Sequence, residues 1–256
     1  MIWLALIGAV VVGLSLGLLG SGGSILTVPL LVYLVGQPEK VAIAGSLAVV
    51  GGIALAGAIP WALRGGVDWR SVIWFGLPGM VGTVAGAHVS RWISGEAQLL
   101  VFAVVMLIAA WRMAQPAPIA ELAGIPRAHG WIIVDGLGVG LLTGLVGVGG
   151  GFMIVPALVL LGGLSMHRAI GTSLWIIALN CASGFTKHLW VLEDAGLSLD
   201  WPLLGMFTAI GALGSVAGQK LASQLPQKHL RRGFAALLVL MGLFIVMREL
   251  PAMLSR

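Results

Sequence analysis

The sequence predicts an all-α, polytopic membrane protein built from two homologous halves, and three observations carry that prediction. Of the 256 residues, 59% are hydrophobic and only 9% are charged, and the mean hydropathy is +1.07; a soluble domain of this size has no way to cover its surface with so little charge. Apolar runs recur along the chain, each approaching the ~20 residues that a hydrocarbon layer of ~30 Å requires of a spanning helix. Residues 17–47 also align without gaps onto residues 144–174, with identity at 15 of 31 positions. That is the mark of an internal duplication.

Four apolar segments fall in each half. The first half, residues 1–114, contains 1–35 with a break at 20–24, then 41–63, 71–92 and 97–113. A polar, Pro-containing linker follows over 115–130. The second half, 131–256, contains 131–162 with a break at 147–151, then 168–188, 202–222 and 231–248. A second matching block reinforces the duplication: Val67-Asp68-Trp69 and Leu199-Asp200-Trp201 precede runs in which Gly79, Gly82 and Gly86 correspond to Gly211, Gly214 and Gly218. Glycines at i, i+3 and i+7 share one helical face, which packs closely on another helix, either within one protomer or between two copies in a homodimer.

The broken segments admit two arrangements. Residues 24–35 extend only about 18 Å as helix, so each broken run is either one kinked span or a hairpin of two short helices with its tip inside the membrane. If each is a hairpin, the halves run in opposite directions. Arg64, Arg70, Arg112, Arg127, Arg168, Lys220, Lys228, Arg231 and Arg232 then share one side, opposite Lys40, Arg91, Lys187, Arg248 and Arg256. Single spans would divide the same cations seven to seven. The preference for basic residues on the cytoplasmic side favours the hairpins, with both termini outside.

The formal charge is +5, but the basic residues stand at the ends of apolar runs and form no basic face interleaved with aromatics. They read as topology signals and not as a nucleic-acid surface. Cys181 is the single cysteine, which excludes an internal disulfide and a multi-cysteine metal site. The chain has no H-E-x-x-H and no P-loop, so neither of these motifs points to an enzyme or a cofactor. Met1-Ile2-Trp3 enters an apolar run without a basic n-region and reads as a retained helix in the plasma or inner membrane.

The chemistry concentrates at the breaks. Unwound backbone survives at membrane depth only where protein buries it or a cavity solvates it, and a duplicated broken helix is the best sequence pointer to a transporter's substrate site. After each break a helix restarts near Ser24 or Gly151, and its first amides have no partner one turn earlier. With the helix dipole they make a ready anion site. Gly20, Gly22, Gly23, Gly147, Gly149, Gly150 and Gly151 let an oxyanion approach the backbone, while Ser21, Ser24 and Thr27 add hydroxyl donors. Pro29 and Pro156 lie inside the returning half-helices, where proline frees a carbonyl and bends the axis, so they read as hinges.

The pattern G-x-x-G-x-G-G-[SG]-x-x-x-V-P, at Gly17–Pro29 and Gly144–Pro156, with A-I-x-x-S-L following at Ala42–Leu47 and Ala169–Leu174, resembles the TauE/SafE sulfite exporter family over nearly the whole chain. The resemblance implies a secondary transporter of small sulfur oxyanions or organosulfonates that works without ATP-binding machinery and draws on a coupling proton or ion. An anion channel, or a permease for another small anion, is the alternative.

Further candidates follow from position. Ser46 and Ser173 are equivalent sites in the helix after each break, with Thr172 beside the second; they are candidate donors to substrate. Asn180 lies mid-helix and needs a partner, either substrate or a neighbouring helix. Lys187 and His188 are placed at a helix end, where lysine snorkels to the interface. Trp3, Trp61, Trp69, Trp74, Trp92, Trp131, Trp190 and Trp201 form an aromatic belt against membrane lipid.

Overall fold

The computed structural model describes residues 2–115, 129–147 and 149–254; the expected linker lies almost wholly outside them. The described residues are helical throughout their ordered elements: α1 (Ile2–Leu19), α2 (Gly22–Pro29), α3 (Glu39–Leu63), α4 (Trp69–Trp92), α5 (Gly95–Ala114), α6 (His129–Val146), α7 (Gly151–Pro156), α8 (Met166–Asp194), α9 (Trp201–Ala222) and α10 (Gln227–Leu254). Six of them, α3, α4, α5, α8, α9 and α10, are long and apolar enough to cross a membrane.

Local chemistry sets the helix starts. Asp68 accepts from the Ser71 amide and Asp200 from the Leu203 amide, at 3.1 Å in each case. Ser94 and Ser165 cap α5 and α8 in the same way. Each supplies an acceptor for an amide that the helix itself leaves unpaired. The α8 helix runs to Asp194, beyond the end expected at 188, because the segment through Val191 and Leu192 still has a buried face to pack.

The first broken segment is a hairpin. Gly23 lies against Leu16, with its Cβ position 2.7 Å from that residue's Cβ, while Gly8 lies under the Leu30 side chain. Pairs of rising and falling residue number mean antiparallel arms, so α2 returns along α1. At the second break Gly150 lies over Thr143, the pair 127 positions on from Gly23 and Leu16. After each proline the helix widens into a π-turn, at 30–34 and 157–161, with Val35 donating to the Leu30 carbonyl and Gly162 to that of Ala157, both at 3.0 Å. Proline cannot donate one turn back, and the wider turn absorbs the mismatch.

The glycine faces explain the rest of the packing. Along α1, Gly13 faces Gly211 and Gly17 faces Ser215 of α9; along α6, Gly140 faces Gly79 and Gly144 faces Thr83 of α4. A methyl group at Gly13, Gly17, Gly140 or Gly144 would overlap the facing backbone. Side-chain-free contact of this kind is how helices associate where lipid offers no hydrophobic drive between them. Residue numbers rise together in both pairs, so α1 runs parallel to α9 and α6 parallel to α4. The Gly-x-x-Gly faces are thus used inside the protomer. The α3 and α8 helices pack together at the centre, and α5 packs against α10.

The exposed tryptophans at helix ends include Trp69, Trp92, Trp131, Trp190 and Trp201, as an interfacial belt requires. Trp61 departs from that expectation. Its ring turns inward against Gly66 and Gly171, because both glycines leave a flat surface there.

Candidate functional site

The tips of the two broken segments meet. A Cβ placed on Gly151 would lie 2.7 Å from Ser21 Cβ and 3.0 Å from Ser24 Oγ, so the start of α7 touches the start of α2. The central helices hold this junction in place by two crossed bonds. From α3, Ser46 Oγ donates to the Gly147 carbonyl at the second break; from α8, Ser173 Oγ reaches the Gly20 carbonyl at the first, at 3.0 Å. Each hydroxyl also lies within 2.9 Å of a carbonyl in its own helix, Ile43 or Ile170. Gly20 and Gly147 both have positive φ, 73° and 71°, which is what turns these carbonyls toward the braces and makes glycine the residue for the position.

The two breaks differ in detail. At the second, Gly149 and Gly150 also have positive φ, whereas the first needs only Gly20. Gly22 and Gly23 direct their Cβ positions onto α1, with Ser15 O at 2.9 Å from the first and Leu16 Cβ at 2.7 Å from the second. Their smallness therefore serves the close return of α2. Gly149 sits against Cys181 and Val50, the Cβ position being 2.8 Å from Cys181 Sγ.

The hydroxyls sort into engaged and free. Ser24 Oγ donates to the Ser21 carbonyl and Thr27 Oγ1 to that of Gly23, both at 2.7 Å, so these two protons stay within α2. Ser21 Oγ is fully buried and has no hydrogen-bond partner. Asn180 is also fully buried, with neither its carbonyl oxygen nor its amide nitrogen paired. Its amide lies beside Gly79 of α4, one helical turn along α8 from Ile177, which touches Gly151. An unpaired buried amide or hydroxyl costs about 1–3 kcal/mol. Thr172 is not part of the junction. Its Oγ1 accepts from the Asp68 amide at 2.9 Å and so ties the α3–α4 loop to α8.

Nothing charged stands among these residues, so what the junction offers a ligand is helix-start amides and the free Ser21 hydroxyl, with the unpaired Asn180 carboxamide standing apart beside Gly79. Such a set favours a small anion over a cation. The TauE/SafE sulfite exporter family model matches residues 4–245.

This chain belongs to the TauE/SafE sulfite exporter family. It is 32% identical over 251 residues to a probable membrane transporter protein of Xylella fastidiosa, covering 95% of this chain and 94% of the relative. A probable membrane transporter protein of Methanocaldococcus jannaschii, MJ0441, is 26% identical, with 93% and 94% covered. The Bacillus subtilis probable membrane transporter protein YunE is 29% identical over 70% of this chain and 77% of its own length. No solved structure matches this chain. As a TauE/SafE member with six apolar crossing helices, the protein is a multi-pass membrane transporter of the plasma membrane.

Two features escaped the sequence reading. His188 does not end its helix; its ring turns inward and Nε2 bonds the Gly144 carbonyl at 2.8 Å. Lys187 turns outward and its ammonium lies 5.2 Å from the Trp190 ring, as snorkelling predicts. Tyr33 in the returning arm donates to Glu249 of α10 and lies under the Arg248 guanidinium. The only sequence signal for either was the presence of a polar residue in an apolar run.

Proposed function

We propose that this TauE/SafE protein is a secondary transporter of small sulfur oxyanions, sulfite or a small organosulfonate, which binds at the junction of the two breaks. The observation that carries the reading is the contact of Gly151 with Ser21 and Ser24, since it brings two helix starts and a free buried hydroxyl to one point. Sulfite has three acceptor oxygens and a negative charge, which suit amides and neutral hydroxyl or carboxamide donors. A site with neutral donors also holds its ligand loosely enough to release it, as a carrier must.

In this reading the halves 1–114 and 131–256 are inverted copies, and access alternates as one rocks against the other about the junction. The crossed bonds from Ser46 and Ser173 support it, because each joins a central helix of one half to the break of the other. The parallel courses of α1 with α9 and of α6 with α4 fit the same relation. The face bearing Arg64, Arg70, Arg168 and Lys220 is then cytoplasmic.

The test is counterflow of radiolabelled sulfite in proteoliposomes, with thiosulfate and a small sulfonate as competitors. Saturable exchange is expected. Flux proportional to concentration up to high anion levels would indicate a channel, and no exchange of any sulfur anion by correctly inserted protein would refute the substrate class.

A further inference from the structure

Above the second break, on the face that carries Lys40 and Arg248, four helices converge on a recess lined by Lys40 and Ile43 of α3, Ser90 of α4, Gln98 of α5, and His188, Val191 and Leu192 of α8. The recess is too narrow to hold a water molecule. Its floor is Ile43, whose carbonyl lies 3.1 Å from the Cβ position of Gly147. The recess therefore ends on the second break itself.

Its polar groups are not equally available. Gln98 Nε2 donates to the Ser90 and Ile93 carbonyls, at 2.7 and 3.1 Å, and Ser90 Oγ to that of Ala87 at 2.8 Å. The carbonyl of Gly144 can only accept, so His188 Nε2 carries the proton of their bond. That bond ties the wall of the recess to the last turn of α6 before the break. The Lys40 ammonium, with three donors on a flexible stem, is left as the group able to reorient toward an incoming ion.

We propose that Lys40, Ser90, Gln98 and His188 form the gate on this face, shut in this structure, at which an oxyanion is first held by the Lys40 ammonium before it passes Ile43 to the junction. The proposal rests on the anion-transport reading above and adds to it an entry site and its residues. Three of the helices that meet here belong to the first half and α8 to the second, so movement of one half against the other would open the recess.

The gate is also one-sided. The positions 127 residues from Lys40 and His188 are His167 and Trp61. On the opposite face the first of these has its Nε2 3.3 Å from the Ala222 carbonyl and the second is an indole packed on Gly171. No lysine stands in the place of Lys40, so the two faces should differ in their affinity for the anion.

The experiment is sulfite exchange in proteoliposomes of known orientation, with the half-saturation concentration measured from each face for wild type, Lys40→Gln and Lys40→Arg. Lys40→Gln should raise half-saturation by about tenfold on its own face, leave the opposite face unchanged, and alter the maximal rate little; Lys40→Arg should restore the wild-type value. As a second measurement, Lys40→Cys should react with a membrane-impermeant maleimide from that face alone, against a background in which the buried Cys181 stays unreactive. Unchanged half-saturation in Lys40→Gln, an equal rise on both faces, or a Lys40→Cys thiol unreactive from that face would overturn the gate while leaving the junction standing. Absence of exchange by the wild type would overturn the transport reading and the gate with it.

Discussion

Gly151→Ala isolates the contact between the two breaks from every other role of glycine. Gly151 opens α7 without a positive φ, so alanine suits its backbone and would favour the helix by about 1 kcal/mol. The added methyl, however, would lie 2.7 Å from both Ser21 Cβ and Ile177 Cδ1, where carbon atoms normally stand about 3.5–4.0 Å apart. The shortfall is on the order of 1 Å. Ile177 can rotate its terminal carbon away. Ser21 Cβ is fixed to the backbone of the first break, so the two tips must separate. Overpacking of this degree costs about 1–3 kcal/mol, which leaves the fold intact once the helix gain is counted. A displacement of ~1 Å at a binding centre costs about 100-fold in rate. Sulfite counterflow should therefore fall by about that factor while thermal unfolding in detergent shifts only slightly. Gly138→Ala is the control: it lies in α6 with open space at its Cβ position, and should raise stability by up to about 1 kcal/mol with transport unchanged. Wild-type exchange by Gly151→Ala would refute the reasoning that the tips form the site.

Two further predictions follow from the recurring contacts. Ser46→Ala and Ser173→Ala should each destabilise the protein by about 1 kcal/mol through loss of a brace to the opposite break, and by similar amounts; a large inequality in melting temperature would show that the two braces are not equivalent. Gly13→Ala and Gly140→Ala, whose methyls would overlap the Gly211 and Gly79 carbonyls, should each cost about 1–3 kcal/mol; full retention of melting temperature in either would mean that the glycine crossings are looser than described.

The features legible in the sequence were those carried by local pattern. The broken runs and their prolines announce themselves through residue types whose backbone demands are strong. Gly20 and Gly147 need positive φ because of chemistry confined to a few neighbouring residues. Partners remote in the chain were hidden. Ser46 and Ser173 read as free donors from sequence, yet each is separated by more than 100 residues from the glycine carbonyl it reaches. Ser24 and Thr27 face the opposite difficulty: a serine or threonine in a helix has a carbonyl close behind it, and theirs take the proton. His188 was misplaced because hydropathy falls near Lys187 although the helix continues. Only packing distinguishes an imidazole turned inward from an ammonium turned to the interface.

The most direct test of the central claim is equilibrium binding of radiolabelled sulfite to purified protein, comparing wild type with Ser21→Ala, Asn180→Ala and the double variant. Hydrogen bonds to a charged group contribute about 1.5–3 kcal/mol each. The account predicts that each single variant weakens binding by at least about tenfold and the double variant by about 100-fold or more. An unchanged Kd in the double variant, at normal thermal stability, would place the anion elsewhere and contradict the junction of the two breaks as the site.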